Sequence, residues 1–242
     1  MAGATSVEAH YRDHLGPVYD WMLGDFDVAA ARSESQLRAA GLGAGGGALA
    51  IDLGCGSGLQ SIPLLHLGWR VLAIDSCALL LDRLRERARG LPLQAIEGDL
   101  RDFPRHQDRP AAAIVCMGDT FSHLPSRADV RVLLAACARS LSPGGGLVLG
   151  FRDLSGPPPR FVPVRSDDRR ILTAVLEEDG EHLVVHDLLH ERGEAGWTMS
   201  VSSYRKIRLP PAAVRADAVE AGLEVTSMST DRGLVTLVAR RT

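Results

Sequence analysis

Through the middle of this chain, short continuous apolar runs alternate with stretches of helical period. "ALAIDL" (48–53), "RVLAID" (70–75), "LQAIEGDL" (93–100), "AAAIVCMGD" (111–119) and "GLVLGFRDL" (146–154) each predict a strand. Between them "LQSIPLLHLG", "CALLLDRLRERARG" and "RADVRVLLAACARS" predict helices, the first two stopped by Gly68 and Gly90. A strand buried on both faces is apolar throughout, so this pattern predicts a parallel sheet covered by helices on each side. Residues 7–40 also carry a helical period (Val18, Met22, Phe26), broken at Gly24-Asp25, and "GLGAGGG" (41–47) is a loop. After "SGPPPRF" the pattern changes to alternation. Segments 161–165, 169–178, 182–190 and 196–208, separated by "SDD", "EDG" and "RGEAG", predict an antiparallel meander. A helix with proline at its start ("PPAAVRADAVEAG") and a hairpin turning at Asp231-Arg232 close the chain. The whole predicts an α/β fold: a Rossmann-like, mostly parallel seven-stranded sheet with helices on both faces, plus an antiparallel β insertion after strand five.

In such a sheet ligands sit outside the carboxyl ends of the strands, which directs attention to 52–58, 75–76, 98–100, 117–123 and 151–153. The first of these exits reads "AIDLGCGSG". A phosphate-binding P-loop requires a lysine after its glycines, and none follows. The dinucleotide fingerprint G-x-G-x-x-G fails at its last position, which is Leu59 or Ser61 depending on the start. Asp52, an acid at the strand end before the loop, would repel a pyrophosphate and suits a ligand with an ammonium group and no phosphate. S-adenosylmethionine (SAM) is such a ligand.

Over roughly residues 48–153 the chain resembles the class I SAM-dependent methyltransferases. "AIDLGCGSG" is similar to their first motif, and Asp75, 23 residues beyond Asp52, occupies their acidic position at the end of strand two. "EGDLRDF" is similar to their third motif. The resemblance implies that Asp75 accepts both ribose hydroxyls, that Asp99 takes the adenine amino group, and that Leu100 packs on the ring. It places Asp52, Gly54, Cys55, Gly56 and Gly58 along the cofactor, with Ser76, Met117 and the lid residue Tyr19 as further contacts. The product would be S-adenosylhomocysteine. The implied organisation is a helical lid (1–40), a SAM-binding core (41–154), the β insertion beside the acceptor pocket (155–208), and a helix and hairpin completing the core (209–242).

Methyl transfer from a sulfonium is an in-line displacement, for which alignment, exclusion of water and in some cases proton removal suffice. The acceptor pocket must therefore be found by position. "VCMGDTFSHLP" (115–125) leaves strand four beside the expected methyl group and holds Asp119 and His123, the two candidate catalytic residues. It resembles the "C-x-G-N-S-x-x-H-L" segment of glycine and sarcosine N-methyltransferases. "VYDWMLGD" (18–25) resembles their closing N-terminal segment, and "GFRDL" (150–154) their strand-five exit, whose arginine holds the substrate carboxylate. Tyr11, Trp21, Asp119, His123 and Arg152 are thus the expected substrate contacts. Two positions depart from that pattern: the family's asparagine is Asp119 here, and a lid tyrosine is Met22. An acid would pair with a cationic amine or accept a proton from a phenol, which puts glycine itself in question. Asp119 could also cap its turn, and Arg152 could be held in an ion pair. An amine nitrogen is favoured as the methyl acceptor; an O-methyltransferase and a non-catalytic SAM-binding regulator stay open.

"HLVVHDLLH" tempts a metal reading. In a meander, however, His182, His186 and His190 stand ~13 Å apart along one strand, too far for one ion, so no metal is expected. The 242 residues carry a net charge of −3, so no broad cationic surface is implied and nucleic acid is not the expected partner. Lys206 is the single lysine. Four scattered cysteines make neither a disulfide framework nor a metal set. No apolar run approaches the ~20 residues of a membrane span and no signal peptide is recognised, so a cytoplasmic protein acting on a small molecule is expected. Self-association of the chain is left open.

Overall fold

The computed structural model describes residues 4–242. The lid expected from residue 1 therefore begins in part outside the described residues. Ser6 caps α1 (Val7–His10), accepting the N–H of Ala9, and the chain continues through a π-helical turn and a 3₁₀ turn into α2 (Tyr19–Leu23). Gly24, at φ +89°, ends that segment. Asp25 then caps α3 (Phe26–Ala39), its carboxylate accepting the N–H of Val28 at 3.1 Å.

From here strand and helix alternate: β1 (Leu49–Leu53), α4 (Ser61–His66), β2 (Arg70–Asp75), α5 (Ala78–Arg87), β3 (Leu93–Glu97), β4 (Ala111–Cys116), α6 (Arg127–Ser140) and β5 (Leu141–Arg152). Strands β6 (Phe161–Ser166), β7 (Arg170–Asp179), β8 (His182–Gly193) and β9 (Gly196–Ile207) follow. Helix α7 (Pro211–Glu220) and the hairpin β10 (Leu223–Asp231) and β11 (Leu234–Arg241) end the chain. The main sheet has the order β10-β11-β5-β4-β1-β2-β3, parallel except for β11, which runs antiparallel to both neighbours. The order reverses at β1 and β4, and a crevice opens there at the carboxyl ends.

The apolar strands bury alternate residues on opposite faces, as the period of two requires. Ile51, Leu53 and Ile74 join Phe121, Leu133 and Leu134 of the layer containing α6, whereas Ala50, Val71 and Ala73 face Leu37, Leu64 and Leu84 from α3, α4 and α5. Strand five departs from expectation. It starts at Leu141, directly after α6, because Leu141 already pairs with Ala111. "SPGG" then bulges out before pairing resumes at Gly146.

The insertion is a separate four-stranded antiparallel sheet, β6-β7-β8-β9. Its inner face carries Leu172 and Leu189, which pack on Leu15 and Val18 of the N-terminal segment with Tyr11, Tyr19 and Trp21 alongside. Lid and insertion thus share one small core. His182, His186 and His190 fall on one face of β8; His182 meets the Pro125 carbonyl at 3.0 Å and His186 the Ser203 hydroxyl at 2.7 Å.

Candidate active site

A cavity of about 480 Å³ opens at the carboxyl ends of β1–β4. One wall is the glycine loop and the strand exits: Gly54, Gly56, Asp75, Ser76, Asp99 and Leu100. The opposite wall is Tyr11 and Tyr19 from the lid, and Thr120, His123, Leu124 and Pro125 mark the far end.

Strand β2 delivers Asp75 to the cavity. One carboxylate oxygen accepts the Gly56 N–H at 2.8 Å and the other the Cys77 N–H at 2.9 Å. Burial raises its pKa, while these backbone donors oppose the rise. Gly56, at φ +52°, has no room for a side chain without approaching the Tyr19 hydroxyl, at 3.3 Å. The aromatic lid therefore lies directly over the loop. Asp99 lies two residues past β3 and is gripped side-on by Arg101, with N–O distances of 2.5 and 3.0 Å; that hydrogen bond holds its carboxyl below the usual carboxylate range. Arg101 also binds Asp129 at 2.6 Å.

Several expected contacts lie off the cavity wall, each for a physical reason. Gly54 does line it, but a side chain there would stand 2.1 Å from Thr120 Cγ2, so this glycine makes room for the strand-four turn. Gly58 is required by Leu84 of α5, 2.6 Å from a would-be Cβ. Cys55 and Met117 are buried in the core shared by α3, α4 and α5. Asp52 is 1% exposed and accepts the Ser61 hydroxyl at 2.6 Å, while its Oδ1 is buried with no protein donor. Burial pushes that carboxyl up to about 7.

The acceptor side needs more correction. Trp21 turns from the cavity toward the insertion, its indole N–H donating to Asp167 at 2.5 Å. Asp119 is also off the wall: the Lys206 ammonium donates to one oxygen, the Ser122 hydroxyl to the other at 2.9 Å, and Arg152 Nε stands 3.6 Å away. The neighbour that fixes Arg152 is therefore Asp119, and neither side chain faces the cavity. Burial disfavours ionised Asp119, but Lys206 and His123 outweigh it and hold the carboxyl far below its ordinary value. His123 sits edge-on between Tyr11 and Tyr204, with ring centroids 5.6 Å from each. Its Nε2 is buried without a partner among the described residues. Burial first, then the Lys206 charge, lowers its pKa to about 3, so the imidazole is neutral.

Behind His123, Tyr204 stacks on His10 at 4.1 Å, and His10 meets Asp187 at 3.1 Å and Ser202 at 2.9 Å. The sequence gives no sign of this layer, since its members are some 190 residues apart. Arg101 and Glu97 were within reach, since each adjoins the strand exit at 98–100.

The wall carries Glu8, Asp75, Glu97 and Asp99 against a single cation, Arg101, which is engaged by two carboxylates. Nothing there is free to neutralise a phosphate. A nucleoside with a cationic tail and hydroxyls for Asp75 fits.

Residues 50–145 match a family model described as a methyltransferase domain. That match and the relatives below support a methyltransferase of the class I SAM-dependent type. Its cofactor is SAM, and it is an enzyme of that type. Among relatives, it is 29% identical over 189 residues to the cypemycin N-terminal methyltransferase of a Streptomyces species, covering 75% of each chain. It is 33% identical over 152 residues to the glycine/sarcosine N-methyltransferase of Halorhodospira halochloris, covering 61% of this methyltransferase and 56% of that one. The fold is that of SAM-bound CalS10, an amino pentose methyltransferase from Micromonospora echinaspora, with a TM-score of 0.75 at 22% identity over 94% of this chain and 96% of that one. No helix among the described residues is long and apolar enough to cross a membrane.

Proposed function

We propose that this methyltransferase methylates an amine nitrogen of a small molecule, in the cavity between the glycine loop and His123. Asp75, Ser76, Asp99 and Leu100 hold the nucleoside, with Tyr19 closing over it and Asp52 answering the ammonium of the tail. When bound, SAM supplies a methyl carbon activated by a positive sulfur. Tyr11, Leu124 and Pro125 shape the acceptor end and exclude water, and Nε2 of His123 accepts a hydrogen bond from the nucleophile's N–H, orienting its lone pair.

The observation that carries this reading is the weakness of both candidate bases. Asp119 is neutralised by Lys206, and His123 has its pKa lowered to about 3. A phenol or alcohol must shed a proton to become a strong nucleophile, and a base this weak gives little help. A neutral amine is already nucleophilic and needs only alignment. The names of two relatives, the cypemycin N-terminal methyltransferase and a glycine/sarcosine N-methyltransferase, support the same choice.

Incubation with methyl-labelled SAM across matched primary amines, secondary amines and phenols tests it. Label is expected in the amines. Transfer confined to the phenols would overturn the assignment, and SAM binding with no transfer to any acceptor would favour a SAM-binding regulator.

A further inference from the structure

We infer that Lys206 is a positioning residue for methyl transfer: from β9 it clamps Asp119, and through Asp119 fixes the 119–123 turn that presents His123 to the acceptor. This rests on the proposed role of His123 and extends it to a strand whose Lys206 lies 87 residues beyond Asp119.

The connection is continuous. The Lys206 ammonium donates to Asp119 Oδ2 and lies 5.5 Å from the Tyr204 ring centre. Asp119 Oδ1 accepts the Ser122 hydroxyl, and the Asp119 carbonyl accepts the Ser122 N–H at 3.2 Å, so the carboxylate organises its own turn. That turn leans on the glycine loop, where Thr120 occupies the space beside Gly54, and on Tyr204, which flanks His123. The Lys206 side chain is only 12% exposed. A buried ammonium is retained only where a carboxylate answers it, and removing one partner leaves the other charge uncompensated.

Lys206 also sets the charge that His123 experiences. The groups facing the imidazole are Asp119 on its own turn, Lys206 and Tyr204 from β9, Tyr11 and His10 from the N-terminal segment, and Arg152 from β5 behind Asp119. With Lys206 in place, Asp119 is spent. Without it, the Asp119 carboxylate keeps only the more distant Arg152 as a cation and favours the imidazolium, which has no acceptor lone pair to offer.

The test compares Lys206→Met, Lys206→Arg and the double variant Lys206→Met/Asp119→Asn with the wild-type enzyme. Folding is checked by thermal denaturation and SAM affinity by calorimetry. The direct readout is the ¹³C-detected titration of the His123 imidazole in the ligand-free protein, assigned with His123→Gln. Wild-type His123 is expected to stay neutral throughout pH 5–8. In Lys206→Met its protonation should move to higher pH than in the wild-type enzyme, short of the ordinary histidine range because the burial remains. Lys206→Arg and the double variant should return it toward the wild-type position, because one restores the cation and the other removes the anion. On turnover, Lys206→Met should lose about tenfold or more in kcat while SAM affinity changes less than about threefold. Lys206→Arg should recover most of that loss. A folded Lys206→Met enzyme with wild-type kcat and an unmoved His123 titration overturns the inference. If no acceptor is ever found, the proposed function fails on that ground, while the imidazole titration still decides the place of Lys206.

Discussion

The two halves of the cavity are built in different ways. The cofactor half is made by strand exits within one continuous stretch, from the loop after β1 to the end of β3, and its polar groups are largely held by near neighbours. Asp75 is fixed by the N–H groups of Gly56 and Cys77, and Asp99 by Arg101 two residues on. The acceptor half is assembled at long range. A turn after β4 supplies His123, the lid supplies Tyr11, and the inserted sheet supplies Tyr204 and Lys206 from behind. One half is rigid scaffold that any acceptor can share. The other draws on the insertion and meets the first where Thr120 packs beside Gly54.

That contrast can be broken from the cofactor side first. Asp75→Ala removes a buried acceptor of two backbone N–H groups as well as the expected ribose contact. SAM affinity should fall by about a hundredfold or more in a calorimetric titration, at two charge-assisted hydrogen bonds' worth. Gly54→Ala acts on both halves at once, because its Cβ and Thr120 cannot coexist and φ is +72°. It should lower stability by about 2–3 kcal/mol in denaturant titration and weaken SAM binding as the loop shifts.

A subtler test lies in Asp52. Its folded pKa of about 7 stands above that of the unfolded chain, so folding favours the protonated carboxyl. The associated stability is fully present below about pH 4 and is lost as pH rises toward and through 7. Asp52→Asn should therefore raise the melting temperature at pH 8, by the equivalent of about 2–4 kcal/mol at most, and change it little at pH 4. The same variant should bind SAM less tightly, since the amide brings no charge to the ammonium. The smallest effect is expected at Trp21. Its indole reaches Asp167 in the insertion, so Trp21→Phe should cost about 1 kcal/mol in lid closure, raising the acceptor KM a few-fold and leaving SAM affinity unchanged.

The same contrast explains what was legible in the sequence. Apolar runs of period two and helices of period 3.6 are local signals, and they led to the seven-stranded sheet and the four-stranded meander. Asp75, Asp99 and His123 all line the cavity, and each was legible because it stands at or just beyond a strand exit. Cys55, Gly58 and Met117 were placed on the cofactor by their position in a motif, but side-chain direction and α5 packing send them into the core. Asp119 and Arg152 were identified as important but given a substrate role. Asp119's partner Lys206 lies on another sheet, and no local spacing encodes that pairing. Being the chain's single lysine was the one available signal.

The central claim is that this cavity methylates nitrogen because it holds no strong base. The most direct measurement presents one acceptor bearing both an aliphatic amine and a phenol on the same skeleton, with methyl-labelled SAM, and locates the label in the product by fragment mass. Label on nitrogen, with the phenol untouched, is the predicted result. Label on the phenol oxygen with the amine left free would contradict it.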